Sequence, residues 1–136
     1  MGALMYDRAY PGEIDGMVLL APWLGEPPLI DAIAAGGGLA RWDPGPVPPV
    51  VDDANFQHEL WRYVQELSRD PARSRRIWLV YGERDRLRRA LPLLAPWLPP
   101  AQVLQRPGGH TWTVWTPATG EVLAAVEGRR VAQRAP

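Results

Sequence analysis

Cysteine is absent from the 136 residues, which removes disulfides, thiol catalysis and thiolate metal sites at once. Lysine is absent too. All 15 basic residues are arginine, spread along the chain and matched by 15 acids to a formal net charge of +0. That balance offers no electrostatic case for nucleic acid or an anionic membrane as a partner. The longest apolar run, residues 17–24, falls far short of the roughly 20 residues that span a bilayer. The opening residues carry no basic stretch leading into a long apolar one, so nothing there resembles a signal peptide, and a cytoplasmic location is expected. What is present suffices for one modest domain: 46% of the residues are hydrophobic, enough for a real core.

Periodicity and turn residues divide the chain. Residues 2–10 read as a short helix stopped by Pro11-Gly12. Residues 14–21 form a continuous apolar run between turn signals, the pattern of a strand buried on both faces. Residues 22–53 are rich in proline and glycine, a long excursion with a short helix near residues 30–35; loops of that length are usually lids or caps. A helix is expected over residues 55–67, capped by Asp53 or Asn55, with Phe56, Leu60, Val64 and Leu67 at helical spacing. Residues 76–82 read as a second buried strand. Leu87, Leu91, Leu94 and Leu98 suggest a further helix that Pro92 and Pro96 must shorten or kink. Residues 102–105 form a third strand. Thr116-Pro117 suits the start of a last helix, with Val122, Leu123 and Val126 inward. Strands alternating with helices imply an α/β class with a parallel sheet of about three strands, doubly wound, with helices on both faces.

In open parallel sheets the chemistry sits where loops leave the carboxyl ends of the strands. Two such loops carry candidate catalytic groups. Tyr81-Gly82-Glu83-Arg84-Asp85 follows the second strand and Gly108-Gly109-His110-Thr111-Trp112 follows the third. Adjacent strands bring Asp85 and His110 together. An acid beside an imidazole fixes its tautomer and stabilises the imidazolium formed in acyl transfer. Two plainer readings stand beside this one: Asp85 as a helix N-cap paired with a neighbouring arginine, and His110 as a residue that satisfies a glycine-rich turn.

The same segments resemble the α/β-hydrolases of the serine esterase type. Asp15-Gly16-Met17-Val18-Leu19-Leu20-Ala21-Pro22 is similar to the strand after the nucleophile helix of that family. Tyr81 to Asp85 resembles its acid loop, and Pro107-Gly108-Gly109-His110-Thr111-Trp112 its histidine loop. Gly2-Ala3-Leu4-Met5-Tyr6, with Tyr10-Pro11-Gly12 after it, is similar to the helix just behind the nucleophile elbow. The resemblance implies residues 1–136 as a single partial hydrolase domain, the C-terminal half of the fold, with residues 22–67 as a cap-like excursion. It implies Asp85 and His110 as catalytic, ester hydrolysis as the activity, and no cofactor and no metal. Trp23 and Trp112 become candidates for the substrate pocket, although tryptophans of this kind also simply pack cores.

The departure from the family is large. The G-x-S-x-G elbow is missing, as are the preceding strands and the oxyanion-hole loop. Ser68 and Ser74 are the only serines, and neither sits on a strand-to-helix turn. The expectation is therefore a truncated member, a partial gene product or a degenerate paralogue. Its partners would be an ester or acyl substrate once completed, and either a second copy or a complementary N-terminal half along the edge of strand 14–21. The alternative is a binding or assembly module that kept the fold and lost the chemistry. Other features read as ordinary. His58 with Asp52 and Asp53 matches no ligand spacing. Gly36-Gly37-Gly38 does not open a helix after a strand. Arg84, Arg86, Arg88 and Arg89 form a solvated face.

Overall fold

The structure, a computed structural model, describes residues 1–134. In chain order its elements are α1 (Gly2–Ala9), β1 (Met17–Leu20), α2 (Pro27–Ala35), α3 (Phe56–Ser68), α4 (Pro71–Ser74), β2 (Ile77–Gly82), α5 (Leu91–Leu94), β3 (Val103–Arg106) and α6 (Trp112–Arg134). The three strands form one parallel sheet in the order β1-β2-β3, with Met17 beside Ile77 and Leu79 beside Val103. β2 is central, and all its side chains except Tyr81 are buried. That explains its unbroken apolar sequence: a middle strand in a layered sheet has no wet face.

Alternation along the strands sends side chains to two cores. Met17, Leu19, Ile77 and Leu79 join Leu4 of α1 and Leu60, Trp61, Val64 and Leu67 of α3 on one face. Trp78, Val80 and Leu104 meet Val114, Trp115, Ala118 and Val122 of α6 on the other. The result is three layers: α6, the sheet, and the remaining helices. This is the α/β class that the alternation of elements predicts.

Residues 22–53 are packed down rather than free. Leu24, Ile30, Ile33 and Leu39 enter the first core, and α3 pins the excursion by its polar side chains. Trp61 Nε1 donates to the Leu24 carbonyl at 2.6 Å. Gln65 Nε2 donates to the carbonyls of Leu39 and Trp42. Arg62 reaches the carbonyls of Pro44, Gly45 and Pro46. These side chains satisfy backbone groups that a proline-rich segment cannot pair in a ladder.

Several local expectations are corrected. β1 is shorter than residues 14–21. At its start Arg76 Nη1 takes the Ile14 carbonyl, and at its end Ala21 turns out of extended backbone at φ +39°. Neither Asp53 nor the Asn55 side chain caps α3 in the usual way. Asp52 Oδ1 instead accepts the N–H groups of Ala54 and Asn55, while Asn55 Oδ1 accepts that of Asp52. The segment carrying Leu91, Leu94 and Leu98 buries all three. Pro92 and Pro96 break it into α5 flanked by 3-10 turns at Arg88–Ala90 and Ala95–Trp97. α6 starts at Trp112 rather than Thr116, so Pro117 lies inside it. Thr113 and Pro117 are both exposed, so the carbonyl left without an N–H partner faces water, which lowers the cost of an interior proline. Leu123, expected inward, is 56% exposed, whereas Val122 is fully buried.

Candidate active site

Two loops leaving the carboxyl ends of β2 and β3 are stitched to one another. Glu83 N–H donates to the Arg106 carbonyl at 2.9 Å, and Arg84 N–H donates to that of Gly108 at 2.8 Å. Contact this close requires glycine. A Cβ on Gly82 would stand 2.6 Å from the carbonyl oxygens of both Gly108 and Gly109. Gly108 itself has φ +126°, and its Cβ would meet Val114 Cγ2 at 2.4 Å. The glycines thus let two backbones touch and α6 close over them.

Asp85 and His110 meet at this junction. His110 Nδ1 lies 3.0 and 3.1 Å from the two carboxylate oxygens of Asp85. Asp85 is buried through the loop's own folding, and its Oδ1 also accepts the Leu87 N–H at 2.8 Å. That bond satisfies the local capping role expected of an aspartate after a strand, so the plain reading of Asp85 and the chemical one coexist. An ionised carboxylate only accepts, so the pairing assigns the proton of a neutral imidazole to Nδ1 and leaves the Nε2 lone pair free. Nε2 has no hydrogen-bond partner among the described residues, and the His110 side chain is 23% exposed. The arrangement is an oriented base: it can accept a proton at Nε2 while Asp85 holds the resulting cation.

An aromatic row continues from the imidazole. Trp115 meets His110 edge-on, with ring centroids 4.6 Å apart, and Trp112 meets Trp115 edge-on at 5.3 Å. Trp112, 68% exposed, therefore reaches the dyad through Trp115. Trp23 is half-buried against Phe56 at 6.1 Å rather than part of this row. Trp115, which by sequence belongs with Trp23, Trp42, Trp61 and Trp112 as pocket lining or core packing, is the one in contact with the imidazole. Its spacing of three from Trp112 on one helix is the signal that links them. The arginines of the acid loop are not all idle. Arg88 donates to the Glu83 carbonyl, and Arg89 forms a forked pair with Asp31 of α2.

The two serines lie elsewhere. Ser68 ends α3 and donates to the Gln65 carbonyl, and Ser74 ends α4 and donates to that of Pro71. Both precede β2 and belong to the amino-end side of the sheet. His58 stands beside Trp42, Asp52 is committed to its turn, and no group of three potential metal ligands gathers among the described residues. No helix among them is long and apolar enough to cross a membrane. No family model, curated protein or solved structure matches the chain.

Proposed function

We propose that this chain is the acid- and histidine-bearing portion of an α/β-hydrolase-type serine hydrolase acting on carboxylic esters, with the nucleophilic serine supplied from outside these residues. The observation that carries the reading is the Asp85–His110 pair at the carboxyl ends of adjacent parallel strands, with Nε2 unpaired among the described residues. In the reaction, His110 Nε2 takes the serine proton as the hydroxyl oxygen attacks the ester carbonyl carbon. The imidazolium then returns that proton to the departing alkoxide, leaving an acyl-enzyme and an alcohol. Water repeats the sequence, releasing the carboxylic acid and restoring the serine. Asp85 orients the ring and stabilises its cationic form throughout. Trp115 packs edge-on against the imidazole, and Trp112 continues the aromatic row to the surface. The serine arrives on a polypeptide that pairs along the open edge of β1, a second copy being the other occupant of that edge.

The test uses the natural gene product that contains this segment, assayed on short-chain nitrophenyl esters and with a fluorophosphonate probe. Asp85→Asn is expected to lower kcat by about 10⁴-fold with KM little changed, as loss of the orienting acid does in such triads. His110→Ala should abolish probe labelling. A product that turns over no ester and takes no label favours the second reading, a binding module without chemistry. That alternative draws its support from the placement of Ser68 and Ser74 before β2.

A further inference from the structure

A second concave site lies at the other end of the sheet from the dyad. It is a cleft of about 760 Å³ between the amino ends of the strands and the second half of α6. That size falls within the range of small-molecule sites. One wall is apolar, made by Val18 of β1 and by Val122, Leu123 and Val126 of α6, and Trp78 forms part of the floor. The rim is cationic. Arg75, Arg76, Arg129 and Arg130 line it, and Asp15 is the one carboxylate among the lining residues.

The partners of these arginines determine how much positive charge remains. Arg76 is engaged, its guanidinium 3.4 Å from the buried Asp7 and bonded to the Ile14 carbonyl. Arg130 stands 3.7 Å from Asp15, with both side chains more than half exposed, a weak pair in water. Arg129 has no carboxylate partner among the described residues. It lies over the Trp78 ring at 4.9 Å and touches only the neutral Gln102 Oε1 at 3.4 Å. Arg75 is exposed and likewise without a carboxylate partner among them. Stacking on tryptophan holds a guanidinium in a fixed plane and leaves its N–H edge free for an acceptor.

We infer that this cleft binds a carboxylate-bearing amphiphile, with the carboxylate held by the guanidinium groups of Arg129 and Arg75 and the aliphatic body laid against Val18, Leu123 and Val126. Planar guanidinium forks match a carboxylate geometrically, and the apolar wall removes the chain from water. The site is separate from the dyad and does not depend on the activity proposed for it.

Isothermal titration calorimetry on the intact chain tests this, with octanoate, octan-1-ol and acetate as probes. Octanoate should bind at one saturable site, weakening as salt rises, while octanol and acetate each bind at least tenfold less tightly. Arg129→Gln and Arg75→Gln, both at exposed positions, should each weaken octanoate about tenfold, the loss of one charge-assisted contact. Their circular dichroism should match the parent, and His110→Ala should bind octanoate as the parent does. Equal binding of octanol and octanoate, or octanoate binding unchanged in both arginine variants, overturns the proposal. So does the absence of octanoate binding, or an oligomer that dissociates when Arg75 and Arg129 are replaced, which would reassign the cleft to a protein surface.

Discussion

Asp7 is fully buried at the junction of α1, α3 and the start of β2. A lone carboxylate there would be costly, and the chain surrounds it with donors. The Tyr63 hydroxyl donates to it, Arg76 lies 3.4 Å away, and Arg73 both donates to the Tyr63 oxygen and stacks on its ring. Glu59, equally buried, is held by Arg8 and Arg62 at 2.8 Å each. Burial, reinforced by the hydrogen bond to Asp7, raises the Tyr63 pKa well above its ordinary value of 10.0. The folded state therefore keeps this proton where the unfolded chain releases it. Stability is fully present below the unfolded value and falls as pH climbs past it toward the folded one. The absence of lysine and cysteine makes the effect readable, since few other groups titrate there. Urea melts from pH 8 to pH 11 should show the parent losing stability above about pH 10, by up to roughly 1.4 kcal/mol per pH unit for one proton. Tyr63→Phe should start less stable and decline less steeply. Tyr6, raised by its bond to Glu13, works in the same direction and keeps part of the slope in the variant. Parallel slopes for the two proteins would remove Tyr63 from the account.

At the level of elements, Gly82 and Gly120 are the same residue under opposite demands. Gly82 ends β2, where a Cβ would strike two backbone carbonyls at 2.6 Å, and Gly120 sits on α6 with nothing within 4 Å. Gly82→Ala must push apart the loops that carry Asp85 and His110. It should destabilise by about 2–4 kcal/mol and remove the Asp85-dependent hydrogen bond at His110 Nδ1, visible by nitrogen NMR. Gly120→Ala should instead stabilise by about 0.5–1 kcal/mol, because alanine gives up less backbone freedom in a helix. A tolerated Gly82→Ala with an intact histidine signal would show that the loops do not need their present contact. These two positions also mark what the sequence makes legible. The strand–helix alternation and the burial of residues 77–82 follow from local periodicity, and the pairing of Asp85 with His110 follows from placing their loops at the carboxyl ends of adjacent parallel strands. The need for glycine at position 82 does not, because it depends on a loop 26 residues later folding back onto it. The same holds for the start of α6: Pro117 is a good first-turn residue locally, yet the His110–Trp115 contact requires helix from Trp112 onward. Asn55 gives up its side-chain capping role for the same kind of reason, since its side chain is spent on the Asp52 N–H and the Val50 carbonyl in a turn before the helix.

For the whole molecule, the accessible surface is 7965 Å² for a mass of 15.1 kDa. A folded monomer of that mass exposes about 7,100 Å², so roughly 900 Å² more lies open than its size requires. That surplus matches what one partner contributes to an ordinary protein interface, about 800 Å². The sheet indicates where such a surface lies. Met17 and Ala21 direct their N–H groups to the Arg76 and Val80 carbonyls of the β2 side, so the alternate residues Val18 and Leu20 turn theirs outward from the edge. No charge or proline interrupts residues 16–21, and both outward residues are half-buried apolar ones. Natural edges are blunted by charge, proline or bulges, and β1 has none of these along its length. Multi-angle light scattering on the purified chain should therefore show mass rising above 15.1 kDa with concentration. Leu20→Lys, which puts a charge on the carboxyl half of the edge and outside the residues lining the cleft, should return it to monomer without loss of the α/β circular dichroism spectrum. A parent chain that stays monomeric at millimolar concentration would mean the backbone groups of Val18 and Leu20 are content with water. The extra surface would then be assigned to the exposed second half of α6, where Leu123 and Val131 stand open, and not to the edge of β1.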